Sequence, residues 1–171
     1  MSEAYPMMLS TVKELGCLPR LKEDLTWLPV DVAARAVLDI LFHNQGGEVE
    51  SECPVFHITN NNRSTKWIDF LNWQQKYSSF KIVNLEAWLQ KLEKLENHPA
   101  RNLSWLWKKN IKSGAGEEKE AKSQITFQTT NAERVSVAMR NVGPVDEDLV
   151  RKIWMWLERE MAAEEKVRSK L

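Results

Sequence analysis

The strongest constraint on the fold lies in residues 30–43, where apolar side chains are interrupted by a polar residue at every fourth position. The polar positions are Asp31, Arg35, Asp39 and His43. A spacing of four places them along one side of an α-helix, so the pattern predicts a mostly buried helix with one narrow charged stripe. Asp31 follows Pro29 and Val30 and is placed to cap the first turn, near the positive end of the helix dipole.

Four further helices and three short strands are predicted from periodicity and from turn-forming residues. The helices begin near Ser64, which is a suitable N-cap, and near Asn84, Pro99 and Asp146. The strands are residues 54–59, 80–83 and 125–130, and the run Asn60-Asn61-Asn62 closes the first of them as a turn. Strands this few and this short cannot form an independent sheet. The sequence therefore predicts a helix-rich α+β fold with about five helices and a few short strands.

A chain of 171 residues is long enough for one ordinary domain, so we expect residues 1–171 to form a single unit. Residues 113–123 combine small side chains with dense mixed charge and are predicted to be a mobile surface loop. The last residues, 162–171, are expected to fray.

Composition excludes several classes of function. Lys plus Arg and Asp plus Glu each number 24, so no net charge attracts nucleic acid or an anionic membrane. The two cysteines and three histidines have no metal-ligand spacing, and no metal site is expected. The N-terminus has no signal-peptide pattern and no apolar run is long enough to cross a membrane, so a cytoplasmic protein is expected.

Several short runs resemble a known family. They are Leu-Gly-Cys-Leu-Pro at 15–19, Trp-Leu-Pro-Val-Asp at 27–31, Val-Phe-His-Ile-Thr-Asn at 55–60, Phe-Lys-Ile-Val at 80–83 and His-Pro-Ala at 98–100. They look like the C-terminal, substrate-binding half of thioester-reductase domains, which are extended short-chain dehydrogenases. The closest resemblance is to the terminal reductase domains of fungal polyketide and peptide synthetases. It implies the fold of that C-terminal subdomain and a surface that receives a carrier-linked acyl chain.

In that family an N-terminal Rossmann half binds NADPH through a glycine-rich turn and carries a Tyr-x-x-x-Lys pair. Here none of the six glycines has the spacing of a dinucleotide-binding turn. Tyr77 and Lys81 have the four-residue spacing, but they fall between a predicted helix and a predicted strand rather than on one long helix. We therefore expect no cofactor site. The chain resembles the C-terminal half of these domains and not the NADPH-binding half.

Loss of a cofactor layer would leave an apolar cleft open to a bulky ligand. Such a cleft could fold a polyketide or polyketide-peptide intermediate and promote a pericyclic or aldol-type ring closure without redox chemistry. The candidate catalytic residues are His57, Asp31 and Asp69, and the candidate substrate-binding residues are Trp27, Trp67, Trp73 and Phe56. His57 is the candidate general acid or base. Each has a structural alternative: His57 as a strand residue, Asp31 as a cap, Asp69 as a solvated helix residue and the tryptophans as core.

Two other functions stay open. The chain could dock an acyl carrier protein or a synthase without chemistry, through the amphipathic helix predicted over 85–96 and through lysines 108, 109 and 112. It could also be an excised part of an NADPH-dependent reductase. A chain that begins with Met and ends in a full helix favours a free-standing protein, and an exposed former interface would favour a homodimer.

Overall fold

A computed structural model describes residues 3–43, 54–112 and 126–168. The loop predicted at 113–123 lies outside these residues. In chain order the elements are α1 (Ala4–Ser10), α2 (Val12–Leu15), β1 (Cys17–Arg20), α3 (Val30–His43), α4 (Trp67–Gln74), β2 (Lys81–Asn84), α5 (Leu85–Leu92), a 3₁₀ turn (Pro99–Leu103), α6 (Ser104–Lys112), α7 (Thr130–Val135), α8 (Val137–Arg140) and α9 (Glu147–Arg168).

The fold is helix-rich α+β, as predicted, with one two-stranded parallel sheet among the described residues. Strand β2 overlaps the predicted strand at 80–83, and it pairs with β1 so that Cys17 lies opposite Lys81. The helices are more numerous than expected because residues 4–15 and 130–140, which show no long apolar period, form short helices. In the described part of the chain, no helix combines the length and apolar character needed to cross a membrane.

Several local expectations are wrong. Residues 54–59 form no strand, and the described part of the third predicted strand has no regular structure before α7 begins at Thr130. Helix α4 begins at Trp67 with Lys66 at its N-cap, so Ser64 does not cap it. Helix α9 continues to Arg168, through most of the segment expected to fray, and fraying there stays a prediction.

The chain divides into two compact units, which are described separately below. Unit 1 comprises Met1–Glu23, Lys66–Glu120 and Asp146–Leu171, and unit 2 comprises Asp24–Thr65 and Ala121–Val145. The expectation of a single domain stays a prediction.

Unit 1 is built around buried tryptophans. The indole Nε1 of Trp67 donates to the Pro19 carbonyl at 2.8 Å, which ties α4 to β1, and its ring stacks on Phe70 at 4.9 Å. The indole of Trp88 in α5 donates to Thr11 at 3.1 Å and meets Trp107 edge-on. The indole N–H groups of Trp67 and Trp88 are thus satisfied inside the core, whereas Nε1 of the buried Trp154 has no hydrogen-bond partner among the described residues.

Unit 2 has a small core. Its buried residues are Ala36, Ala132 and Met139, and the half-buried Leu28, Phe56, Ile58 and Val142 pack against them. Helix α3 contacts α7 and α8, and Asp39 of α3 accepts a 2.7 Å hydrogen bond from Ser136.

The prediction that α3 is mostly buried is wrong, because unit 2 covers only one side of the helix. Ala36 is its one buried residue, whereas Val30 is 83% exposed, Leu41 55% and Phe42 63%. The periodicity shows which residues of the helix are apolar, but it cannot show which of them other elements will cover.

Gln74 in unit 1 is fully buried, yet neither polar atom of its side-chain amide has a hydrogen-bond partner among the described residues. An unsatisfied buried amide destabilises a fold, so Gln74→Met should raise the free energy of unfolding by about 1–3 kcal/mol. Urea denaturation followed by circular dichroism measures the change.

The neighbouring Gln75 is the matched control, because its amide donates to the Phe80 carbonyl at 2.9 Å. Gln75→Met should lower the free energy of unfolding by about 0.5–1.5 kcal/mol. A Gln74→Met variant less stable than the parent protein would show that the amide has a partner.

Candidate functional site

His57 in unit 2 has the geometry of a general base. Its Nδ1 lies 3.1 Å from the backbone carbonyl of Gln128. A carbonyl can only accept, so the neutral ring carries its proton on Nδ1 and keeps the lone pair on Nε2. No described residue bonds Nε2, and the ring is only half-buried. The basic nitrogen is therefore available to a ligand.

Apolar side chains border this imidazole. The Phe127 ring lies 4.8 Å from it, centroid to centroid, at an angle of 34°, and Phe127 is 48% exposed. Phe56 and Ile58, on either side of His57 in the chain, pack against the unit 2 core, and Val55 is 64% exposed. A base beside exposed apolar surface suits a ligand that is largely apolar and carries an acidic proton.

Hydrogen bonds from asparagine side chains, rather than a ladder between strands, hold the segment around His57. Asn61 Nδ2 donates to the Phe127 carbonyl at 2.8 Å, and Asn131 Nδ2 donates to the Val55 carbonyl at 3.0 Å. Asn60 is buried and donates to the carbonyls of Trp27 and Gly143, each at 3.1 Å. The amides of Asn61 and Asn131 thus join residues 55–61 to the 127–131 segment, and the amide of Asn60 joins them to Trp27 and Gly143.

The other two candidate catalytic residues have structural surroundings. Asp31 is exposed and lies within the first turn of α3, which begins one residue earlier, so it does not precede the helix as a cap. Asp69 accepts a 2.8 Å hydrogen bond from the backbone N–H of Lys66, which satisfies an open donor at the start of α4. A catalytic role for either stays a prediction.

The four candidate binding residues are divided between the units. Trp27 and Phe56 lie in unit 2 and are half-buried, and Phe56 packs against its core. Trp67 and Trp73 lie on α4 in unit 1, where Trp67 is fully buried and Trp73 half-buried. Unit 2 therefore contains His57, Asp31, Trp27 and Phe56. Unit 1 contains Asp69, Trp67 and Trp73.

A serine and a histidine in unit 1 resemble a nucleophilic pair, but their hydrogen bonds exclude that role. His98 Nε2 lies 3.4 Å from Ser10 Oγ, and His98 Nδ1 accepts from the backbone N–H of Ala100 at 3.1 Å. The lone pair of the neutral ring is therefore used at Nδ1, and Nε2 must donate to Ser10. Ser10 in turn donates to the Met7 carbonyl, so His98 caps the 3₁₀ turn and activates no nucleophile.

Other polar pairs in unit 1 are structural as well. Tyr5 donates to the Glu23 carboxylate at 2.9 Å; burial raises the pKa of Glu23, and burial together with that carboxylate raises the pKa of Tyr5. Tyr77 donates to Glu147, and Lys81 lies in β2, so the Tyr-x-x-x-Lys spacing is not on a helix. Over residues 3–43, 54–112 and 126–168, no group of three His, Cys, Asp or Glu side chains could hold a metal ion.

The docking lysines predicted from the sequence are described only in part. Lys108 forms an ion pair with Glu93, the residue that follows α5, and this ion pair lowers the pKa of the Glu93 carboxyl. The side chains of Lys109 and Lys112 lie outside the described part of the chain.

Sequence reasoning found His57 but missed the residues that orient it. Phe127 and the Gln128 carbonyl lie about 70 residues further along the chain in what was predicted to be a strand. The run of three asparagines was interpreted only as a turn. Asparagine side chains bond readily to nearby backbone groups, and that property was the available signal for a loop that anchors other segments.

No family model matches the chain. It is 26% identical, over 90% of its length, to the adenylate-forming reductase stbB of Stachybotrys bisbyi, of which it covers 14%. It is 30% identical, over 54% of its length, to the non-reducing polyketide synthase SAT8 of Stachybotrys chartarum, of which it covers 3%. It is also 26% identical, over 88% of its length, to the non-canonical non-ribosomal peptide synthetase ascB of Acremonium egyptiacum, of which it covers 13%.

The chain thus spans at most 14% of the length of these relatives. The matches confirm the resemblance drawn from the short runs at 15–19, 27–31 and 55–60. The chain is similar to the reductase C-terminal regions of fungal adenylate-forming reductases and of polyketide and peptide synthases.

Proposed function

We propose that this chain binds a polyketide or polyketide-peptide intermediate and promotes a non-redox ring closure in which His57 is the general base. The observation that carries the proposal is the hydrogen bond between His57 Nδ1 and the Gln128 carbonyl, which leaves the Nε2 lone pair free. The names of the relatives, which include non-reducing polyketide synthases, support a polyketide-derived ligand.

An aldol closure fits one base and no cofactor. His57 Nε2 takes a proton from a carbon between two carbonyl groups, and the carbanion attacks a second carbonyl carbon of the same chain. A carbon–carbon bond forms, the attacked oxygen becomes an alkoxide, and the imidazolium returns the proton to it. Atoms and electrons balance within the substrate, so the product has the mass of the reactant. General base catalysis of this kind contributes about 10²–10⁴-fold in rate.

The test is to incubate the purified chain with the linear product released by a non-reducing polyketide synthase, with and without NADPH. Mass and retention time are followed. The proposal predicts an isomer of unchanged mass that forms equally in both reactions. A product heavier by two hydrogens that requires NADPH would instead identify part of a reductase, and an unchanged substrate would favour a docking role.

Self-association as a homodimer is a second candidate role, and the exposed apolar side of α3 favours it. Its members are Val30, Val37, Leu38, Leu41 and Phe42. Apolar side chains grouped on one exposed helix face mark protein interaction sites. The partner we propose is a second copy of the chain, because a single apolar helix face can pair with itself across a two-fold axis.

A pair of substitutions on this face tests self-association through α3. Val37→Lys with Leu41→Lys should convert a dimer into a monomer, because four lysines would meet at the two-fold axis. Light scattering coupled to gel filtration measures the mass, and Arg35→Lys on the same helix is the control. A parent protein that is already monomeric at high concentration would refute self-association through α3.

A further inference from the structure

One side-chain amide fixes both sides of the carbonyl that orients His57. Asn61 Nδ2 lies 2.8 Å from the Phe127 carbonyl and 3.3 Å from Thr129 Oγ1. These two residues flank Gln128, whose carbonyl accepts from His57 Nδ1. The position of that carbonyl therefore depends on Asn61, although Asn61 does not touch the imidazole.

We infer that Asn61 is a positioning residue that selects the tautomer of His57. In a neutral histidine, the partner of one ring nitrogen decides which nitrogen carries the proton. By holding the Gln128 carbonyl against Nδ1, Asn61 keeps the proton there and keeps the lone pair on Nε2. The catalytic consequence rests on the proposed function, whereas the tautomer itself does not.

The surroundings of Asn61 are built for this task. Its neighbour Asn60 is buried and bonds three backbone groups: the carbonyls of Trp27 and Gly143 through Nδ2, and the N–H of Asn62 through Oδ1. The backbone that carries Asn61 is therefore anchored within unit 2.

Thr129, the second acceptor of the Asn61 amide, is fixed as well. Thr129 is buried and donates its hydroxyl proton to the Glu133 carboxylate one turn into α7. Its oxygen is thereby left to accept from Asn61. The donor and its Thr129 acceptor are therefore held by groups other than His57.

A second amide provides a matched control. Asn131 Nδ2 donates to the Val55 carbonyl at 3.0 Å and so bridges the same two segments, but its hydrogen bond goes to neither of the residues that flank Gln128. If Asn61 only held the loop together, then Asn61→Ala and Asn131→Ala should have the same effect on the ring of His57. If Asn61 selects the tautomer, only the substitution of Asn61 should change which ring nitrogen of His57 carries the proton.

The experiment is nitrogen-15 NMR of protein labelled at histidine, recorded at a pH where the His57 spectrum is that of the neutral ring. The parent protein and Asn131→Ala should show protonated Nδ1 and bare Nε2. Asn61→Ala should show a several-fold larger population with the proton on Nε2. Asn61→Asp, which has the same size but no amide donor, should show the same change if the alanine variant fails to fold.

A folded Asn61 variant with the parent tautomer would overturn the inference. The NMR measurement needs no substrate, so it separates the two proposals. If Asn61→Ala changes the tautomer but the parent protein closes no ring, the positioning role of Asn61 stands and the proposed function is refuted. Where the parent protein is active, Asn61→Ala should lower kcat by about tenfold or more with little change in KM, since it alters the base and not the binding surface.

Discussion

Replacing Trp67 with alanine should lower the free energy of unfolding by about 3–5 kcal/mol, because the indole is completely buried between α4 and β1. The substitution removes the stacking contact with Phe70 and leaves the Pro19 carbonyl without its indole donor. Single domains are stable by only about 5–15 kcal/mol, so this loss would be a large fraction of the total stability. Urea denaturation monitored by circular dichroism at 25 °C measures it.

Trp105 on α6 is the matched control, because it is 63% exposed. Trp105→Ala should change the free energy of unfolding by no more than about 0.5–1 kcal/mol. The account of the unit 1 core would be wrong if the Trp67 and Trp105 variants had equal stability.

The sequence could predict elements whose period is long and regular. Helix α3 lies where the four-residue spacing of Asp31, Arg35 and Asp39 placed it, and the amphipathic pattern behind Asn84 became α5. Strand β1 escaped prediction because four residues, one of them a proline, give too short a pattern, and its pairing with β2 depends on a segment about 60 residues away. Local periodicity carries no information about such a partner.

The candidate site was only half predictable for the same reason. His57 could be chosen by its residue type, since imidazole exchanges protons near neutral pH. The proton position on its ring depends on the Gln128 carbonyl, which His57 meets only in the folded chain, and Asn61 contacts the two residues beside Gln128. Asp69 also has a structural role, because a carboxylate at the third position of a helix satisfies an open donor at the helix start.

Replacing His57 with glutamine should reduce the rate of ring closure by about 10²–10⁴-fold. Glutamine can still donate an amide proton to the Gln128 carbonyl, so the segment should keep its place, but an amide has no basic nitrogen. The rate of appearance of the isomer, measured without NADPH, gives the effect. Thermal unfolding should show that the variant remains folded.

His43 is the control for this substitution, because it is exposed at the last residue of α3. His43→Gln should close the ring at the rate of the parent protein. Equal and severe losses in both variants would point to a general effect of histidine removal, which contradicts a specific role for His57.

Chemical rescue of a His57→Ala variant tests whether the imidazole of His57 is the base. The variant removes the imidazole and leaves space beside Phe127, and ring closure is followed without NADPH while free imidazole is added. We predict a rate that is low without imidazole and rises with its concentration toward that of the parent protein. A variant that closes the ring as fast as the parent protein without added imidazole would contradict the assignment of His57 as the base.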